Sequence, residues 1–173
     1  LEGDPISMSS LILPKIEPEI AFVLKADLSG PGVTVADVLR ATAGVMPAIE
    51  IIDSRVKDWK IKIQDTIADG ASIGRIIVSG KLSPIEEIDL RYTGLVLEKN
   101  GEIIATAAGA AVLGHPANAV AWLANKLSYY GMTLKAGDIV MSGSFTAACQ
   151  VASGDSVRAT FDRIGAVSAR FVK

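Results

Sequence analysis

Three glutamates carry the residue types and spacing most suited to chemistry. Glu17 and Glu19 flank Pro18 within KIEPEIAFVL (residues 15–24), an otherwise apolar run, and Glu50 lies in PAIEIIDSR between Ala48-Ile49 and Ile51-Ile52. In an extended strand, residues two apart share a face, so Glu17 and Glu19 project into one small volume. Like charges that close raise each other's pKa unless something neutralises them, and a lone carboxylate among isoleucines costs several kcal/mol. A shared divalent cation resolves both problems. An all-oxygen donor set without cysteine or a neighbouring histidine fits Mg²⁺ or Mn²⁺ rather than zinc. Three monodentate carboxylates leave about three of six octahedral positions for water and a chelating substrate. The spacing alone also fits a solvated strand face, with Lys15, Lys25 or Arg55 pairing with these acids as ordinary ion pairs.

Other reactive residue types have two readings each. His115, the single histidine, invites a catalytic role, but it stands at a helix start where an imidazole caps or packs. Cys149 follows two alanines and reads as a small buried hydrophobe. Trp59 and Trp122 read as core or subunit-interface residues before substrate-stacking ones. The charges of SRVKDWKIK read as a solvated strand face, from which Arg55, Lys60 or Lys62 could reach an anionic substrate.

The elements that position these residues follow from local pattern. Leu11–Leu24 reads as one or two strands, with Pro14 and Pro18 favouring an edge or a bulge. TVADVLRATAGV reads as a helix capped by Thr34 with Asp37 three residues on, and VMPAIEIIDSRV as a buried strand carrying Glu50. KDWKIKIQDTIADGASIG alternates at Trp59, Ile61 and Ile63 before a loop of small residues. GLVLEKNGEIIATAAG predicts a hairpin about Asn100-Gly101, a pair suited to a type I′ turn. GHPANAVAWLANKLSYYG predicts a helix with Pro116 in its first turn, Val120, Leu123, Ala124 and Leu127 on one face, and Gly131 at its end. KAGDIVMSGS reads as turn, short strand, turn. DSVRATFDRIGAVSARFV predicts a closing hairpin with Val157, Ala159 and Phe161 opposite Val167, Ala169 and Phe171. Many strands with two substantial helices make the fold class α+β.

Bulk properties bound the function. The 173 residues are half apolar and carry a net charge of −2, with both signs interspersed, so one domain with a real core is expected, and no nucleic-acid surface. No apolar run approaches the 18–20 or so residues of a membrane span. One cysteine excludes an internal disulfide and fits a reducing, cytoplasmic setting. Residues 1–10, LEGDPISMSS, lack signal-peptide form and read as a disordered or linker start, leaving 11–173 as the domain.

Four separated blocks, LILPKIEPEIAFVL, PAIEIIDSRVKDWKIKIQDTIAD, GAAVLGHPANAVAWLANKL and GAVSARF, together resemble the 2-keto-4-pentenoate hydratase / 4-oxalocrotonate decarboxylase family of the fumarylacetoacetase-like superfamily. The resemblance implies a strand-rich mixed β-roll of the fumarylacetoacetase C-terminal type with flanking helices, assembled as a homo-oligomer. It implies that Glu17, Glu19 and Glu50 bind Mg²⁺ or Mn²⁺. Ser72, in ADGASIG, matches an active-site serine of the family loop ADNASSG, with Gly70 in place of its asparagine. MSGSFTAA occupies the place of the superfamily's glycine-threonine substrate loop, making Ser144 and Thr146 candidates for contact with a substrate carboxylate. The resemblance further implies an upstream segment that supplies a lysine and an acidic residue to the active site.

The hydratases of this family add water to a 2-hydroxy-2,4-dienoate to give a 4-hydroxy-2-oxo acid in meta-cleavage catabolism of aromatic compounds. The decarboxylases release CO₂ from 4-oxalocrotonate. EPEIAF and SRVKDWKIKIQDT look hydratase-like, whereas FTAACQVASGD is closer to the decarboxylase loop ITAAVAVAPGD. A hydratase is the expectation, with a decarboxylase as the alternative and a complex with a related pathway enzyme as a further possibility. A non-catalytic metal-binding or scaffolding subunit is the reading from a different class.

Overall fold

The computed structural model describes residues 2–173. The polar start differs from expectation: β1 (Pro5–Ser7) pairs in parallel with the last strand, and Ile6 is buried there against Phe171. An ordered backbone ladder thus replaces the expected linker over these residues.

The next strand, β2 (Lys15–Leu24), sends Ile16, Ile20, Phe22 and Leu24 into the core and its odd-numbered residues to the opposite face. Thr34 caps α1 (Val35–Ala41) through a reciprocal box with Asp37, as the spacing predicts. The helix ends sooner than expected, because β3 begins at Thr42 and runs to Ile52. Residues 57–68 depart further from the sequence pattern. Asp58 and Trp59 adopt left-handed backbone, with φ of 56° and 54°, and α2 (Ile63–Ala68) follows, started by the Lys62 N–H donating to Asp65. The alternation at Trp59, Ile61 and Ile63 is therefore not a strand face.

The remaining strands are β4 (Ile73–Val78), β5 (Gly94–Lys99), β6 (Glu102–Ala108), β7 (Ile139–Met141), β8 (Cys149–Gln150), β9 (Ser156–Phe161) and β10 (Gly165–Val172), with α3 (Pro116–Ser128) before β7. One sheet runs β1-β10-β9-β5-β6; the other runs β4-β3-β2-β7, with β8 also on β2. The sheets pack through β3 and β4 against β9 and β10, and α1 packs on α3. Phe22, Phe161 and Phe171 are fully buried in the core. This is the strand-rich α+β architecture with flanking helices that the sequence implies. No helix is long and apolar enough to cross a membrane.

Pro18 is not at an edge. β2 has β3 on one side along its whole length, with β8 and β7 at either end of the other. In a strand, one residue's N and carbonyl point the same way, and the Pro18 carbonyl accepts from the Phe145 N–H at 3.0 Å. Its missing N–H therefore faces the gap between β8 and β7, where no ladder bond is lost. The ladder irregularity lies at Val23/Leu24 instead.

Candidate metal centre

The antiparallel register of β2 and β3 sets Glu17 directly across from Glu50 and Glu19 across from Ala48. Residues opposite one another project from the same face, and Glu17 and Glu19 already share it. The three carboxylates consequently converge, each offering an oxygen within 4.8 Å of the others. Glu19 is 2% exposed; Glu17 and Glu50 are half-buried.

The segment after β7 closes the gap beside β2. Ser142 N–H donates to the Ile20 carbonyl and Phe145 N–H to that of Pro18. Between them, the Gly143 N–H donates to Glu19 Oε2 at 2.6 Å. Gly143 has φ of 97°, a left-handed conformation that glycine adopts without a side-chain clash. Sequence reasoning placed the MSGSFTAA loop at the site but did not single out Gly143, whose signal was a glycine between two serines.

Electrostatics mark the cluster as one that holds a positive charge or a proton. Burial pushes the Glu19 carboxyl up to about 8; the Gly143 N–H opposes this, and the neighbouring Glu50 and Glu17 reinforce it. Burial, then Glu50, raises Glu17, with Lys15 opposing. Burial raises Glu50 as well, while a hydrogen bond from Glu19 works the other way. In the absence of a cation, all three carboxyls are shifted toward the protonated form, and the cluster shares a proton. A buried all-oxygen cluster of three acids fits a hard divalent cation.

Ser72 is also buried, with φ of 58°, and its hydroxyl donates to Asp69 Oδ2 at 2.8 Å. Asp69 in turn takes the Arg55 guanidinium at 2.6 Å; the Ser72 hydroxyl, then Arg55, hold it below the usual carboxylate range. Arg55 also donates to the carbonyls of Asp53, Asp69 and Ile73. It is therefore occupied by this loop rather than paired with the three glutamates. Neither Asp69 nor the buried Asp53 stood out in the sequence.

Ser144 and Thr146 follow Gly143 on the loop whose amide holds Glu19. The Ser144 hydroxyl donates to the Thr146 carbonyl at 2.8 Å, and the Thr146 hydroxyl to that of Ala147 at 3.2 Å. Lys62 is exposed at the start of α2; among the described residues no hydrogen bond or ion pair ties it to the glutamates. Lys60 is exposed and paired with Asp58. Lys15 lies 4.3 Å from the centre of the Trp59 ring, whose Nε1–H donates to the Leu13 carbonyl. His115 caps α3, its Nδ1 accepting from the Ala117 N–H at 3.0 Å, and burial lowers its pKa. It faces a cleft of about 660 Å³ lined also by Lys25, Arg40, Glu86, Asp89 and Arg91, which Glu17, Glu19 and Glu50 do not border. Cys149 is partly buried against the core. Trp122 is 62% exposed, so it is not a core residue.

The sequence profile of the fumarylacetoacetate hydrolase C-terminal family matches residues 2–172. The chain belongs to that family. Among its relatives, a 4-oxalocrotonate decarboxylase of Pseudomonas putida is 47% identical over 171 residues, covering 99% of this chain and 65% of the relative. A 2-hydroxyhexa-2,4-dienoate hydratase of Comamonas testosteroni is 45% identical over 174 residues, covering 99% and 66%. The fumarylacetoacetate hydrolase fold is matched at TM-score 0.95 by the structure of the 4-oxalocrotonate decarboxylase from Pseudomonas putida G7 complexed with magnesium and adipate. That protein is 47% identical, with 99% of this chain and 65% of that one covered. The chain thus spans just under two thirds of the length of these relatives.

Proposed function

We propose that this chain carries the metal centre of a hydratase that adds water to a 2-hydroxy-2,4-dienoate, yielding a 4-hydroxy-2-oxo acid in meta-cleavage catabolism of aromatic compounds. The convergence of Glu17, Glu19 and Glu50 on one face of β2 and β3 carries the reading. These residues would hold Mg²⁺ or Mn²⁺, and the magnesium in the 47% identical decarboxylase supports that choice. Lewis acidity toward the 2-oxo and carboxylate oxygens of the substrate is the chemistry such an ion supplies. The Gly143 N–H orients the Glu19 carboxylate. Ser144 and Thr146, on the same loop, are assigned to contact with a substrate carboxylate. Ser72 is assigned to the active site with its hydroxyl oriented by Asp69. Lys62 is assigned a role in attracting the anion from the exposed start of α2. The protein is read as a cytoplasmic homo-oligomer, with a complex with a related pathway enzyme kept open.

A specific observation favours a second reading, 4-oxalocrotonate decarboxylase. The relative of that name matches at 47% identity, and its structure holds adipate, a six-carbon dicarboxylate like oxalocrotonate. The two readings share the metal centre and differ in the bond that is made or broken. The test supplies the intact gene product and Mg²⁺ with 2-hydroxypenta-2,4-dienoate and, separately, 4-oxalocrotonate. Loss of dienoate absorbance, abolished by a chelator and by Glu17→Gln, is the expected result. CO₂ release from oxalocrotonate alone would replace hydratase by decarboxylase. Turnover of neither would sink both.

A further inference from the structure

The β2–β3 ladder ends at Lys15 and Ile52, and Pro14, which has no N–H, precedes it. Just beyond, Asp53 takes over. Its carboxylate, on a residue 5% exposed, accepts the Ile12 N–H at 2.8 Å and the Leu13 N–H at 2.7 Å, one on each oxygen. Its own N–H donates to the Ser72 carbonyl at 2.7 Å, and its carbonyl accepts from Arg55 at 3.0 Å. Leu13 is held again through its carbonyl by the Trp59 indole. One residue therefore joins three segments: the lead into β2, the end of β3 and the turn carrying Ser72.

Asp53 lies three residues past Glu50, and Leu13 lies four before Glu17. Both glutamates sit on the same ladder that this clamp terminates, directly opposite one another. A side-chain carboxylate gripping two consecutive N–H groups resists both sliding and splaying of β2 from β3 at that end. Both motions would change the separation of Glu17 and Glu50.

We infer that Asp53 is a positioning residue for the metal centre, fixing Glu17 against Glu50 and the Ser72 turn against both. The inference rests on the cation-site reading above. Asp53→Asn keeps the size but replaces one acceptor by an NH₂ group facing an N–H donor. Groups bonded directly to metal ligands typically contribute 10–100-fold to affinity; Asp53 acts through the ladder one step further out, so the Mn²⁺ affinity of Asp53→Asn is expected to fall by about threefold to tenfold. The spin-resonance lines of the bound Mn²⁺ should broaden. Exchange of the Ile12 and Leu13 amide protons should accelerate by about tenfold or more as local opening becomes easier. Val157→Ala, in the core of the other sheet, serves as a control that loses stability without touching the clamp.

Slow Ile12 and Leu13 exchange in Asp53→Asn would overturn the clamp. Fast exchange with wild-type Mn²⁺ affinity and spectrum would overturn the positioning role, as would an equal affinity loss in Val157→Ala. Absence of Mn²⁺ binding by the wild type would instead remove the cation-site reading, and the inference with it. Should Asp53→Asn fail to fold, Asp53→Glu replaces it; this variant keeps the charge and moves the carboxylate by one methylene, with the same directions expected.

Discussion

Glu19→Gln is expected to weaken Mg²⁺ and Mn²⁺ binding by on the order of 100-fold while making the metal-free protein more stable than the wild type at neutral pH. The first part follows from removing one of three carboxylates from a site whose affinity rests on their combined charge. The second part follows from the proton. Without a cation, the Glu19 carboxyl is shifted toward the protonated form, its pKa pushed up to about 8 by burial and its neighbours. Glutamine mimics that neutral state and keeps an oxygen to accept the Gly143 N–H. Folding of the metal-free wild type must take up a proton at Glu19 between pH 4.5 and about 8, and the variant needs none, so the gap between them should widen across that window and hold above it. Calorimetric titration with Mn²⁺ and thermal melts with and without chelator check both halves. A variant that binds metal normally, or that melts far below the metal-free wild type at pH 7, would show that Glu19 is a packing residue and not a ligand.

The second large effect is on pH. A carboxyl whose pKa is raised by folding binds a proton more tightly in the native state than in the unfolded one. Its contribution to stability is therefore complete below the unfolded value and is lost as pH rises through the folded value. For Glu19 that window runs from 4.5 to about 8, and Glu17 and Glu50 are shifted in the same direction. The metal-free protein should lose stability across that window, at a limiting slope of about 1.4 kcal/mol per pH unit for each proton. A cation must displace the proton, so the sign reverses for binding. Apparent Mn²⁺ affinity should rise by about tenfold per pH unit up to about pH 8 and then level off. Titrations at pH 6, 7, 8 and 8.5, with proton release followed in buffers of different ionisation enthalpy, measure this directly. An affinity independent of pH between 6 and 8 would mean that the acids are ionised before the metal arrives.

Local chemistry made much of this fold legible. Asn100 and Gly101 both have positive φ, 55° and 85°, as a type I′ turn requires, and they close the hairpin expected from NG between two apolar runs. Pro116 and Gly131 bracket α3 for equally local reasons. The last hairpin forms where the alternation predicts it, with Val157, Ala159 and Phe161 facing the other strand's odd-numbered residues. Its register was not legible: Val157 stands against Ala169, Ala159 against Val167 and Phe161 against Gly165. The glutamate cluster was legible because strand period and apolar flanks are local too.

What was missed is non-local. Gly143 reaches Glu19 across 124 residues and Asp53 reaches Ile12 across 41, and no periodicity encodes either contact. The misread stretch at 57–68 shows the converse. Its alternating apolar residues have strand spacing, but left-handed backbone at Asp58 and Trp59, fixed by the indole bond to Leu13, turns the chain instead. Pro18 is legible as a residue that cannot donate to a neighbour; that the neighbour is the gap between two short strands depends on tertiary structure.

The most direct test of the metal centre is anomalous diffraction from crystals soaked in Mn²⁺ at pH 8. A single strong peak among the carboxylates of Glu17, Glu19 and Glu50, absent from Glu19→Gln crystals soaked alongside, is the expected result. A peak elsewhere, or none at that position at Mn²⁺ concentrations that saturate binding in solution, would contradict it.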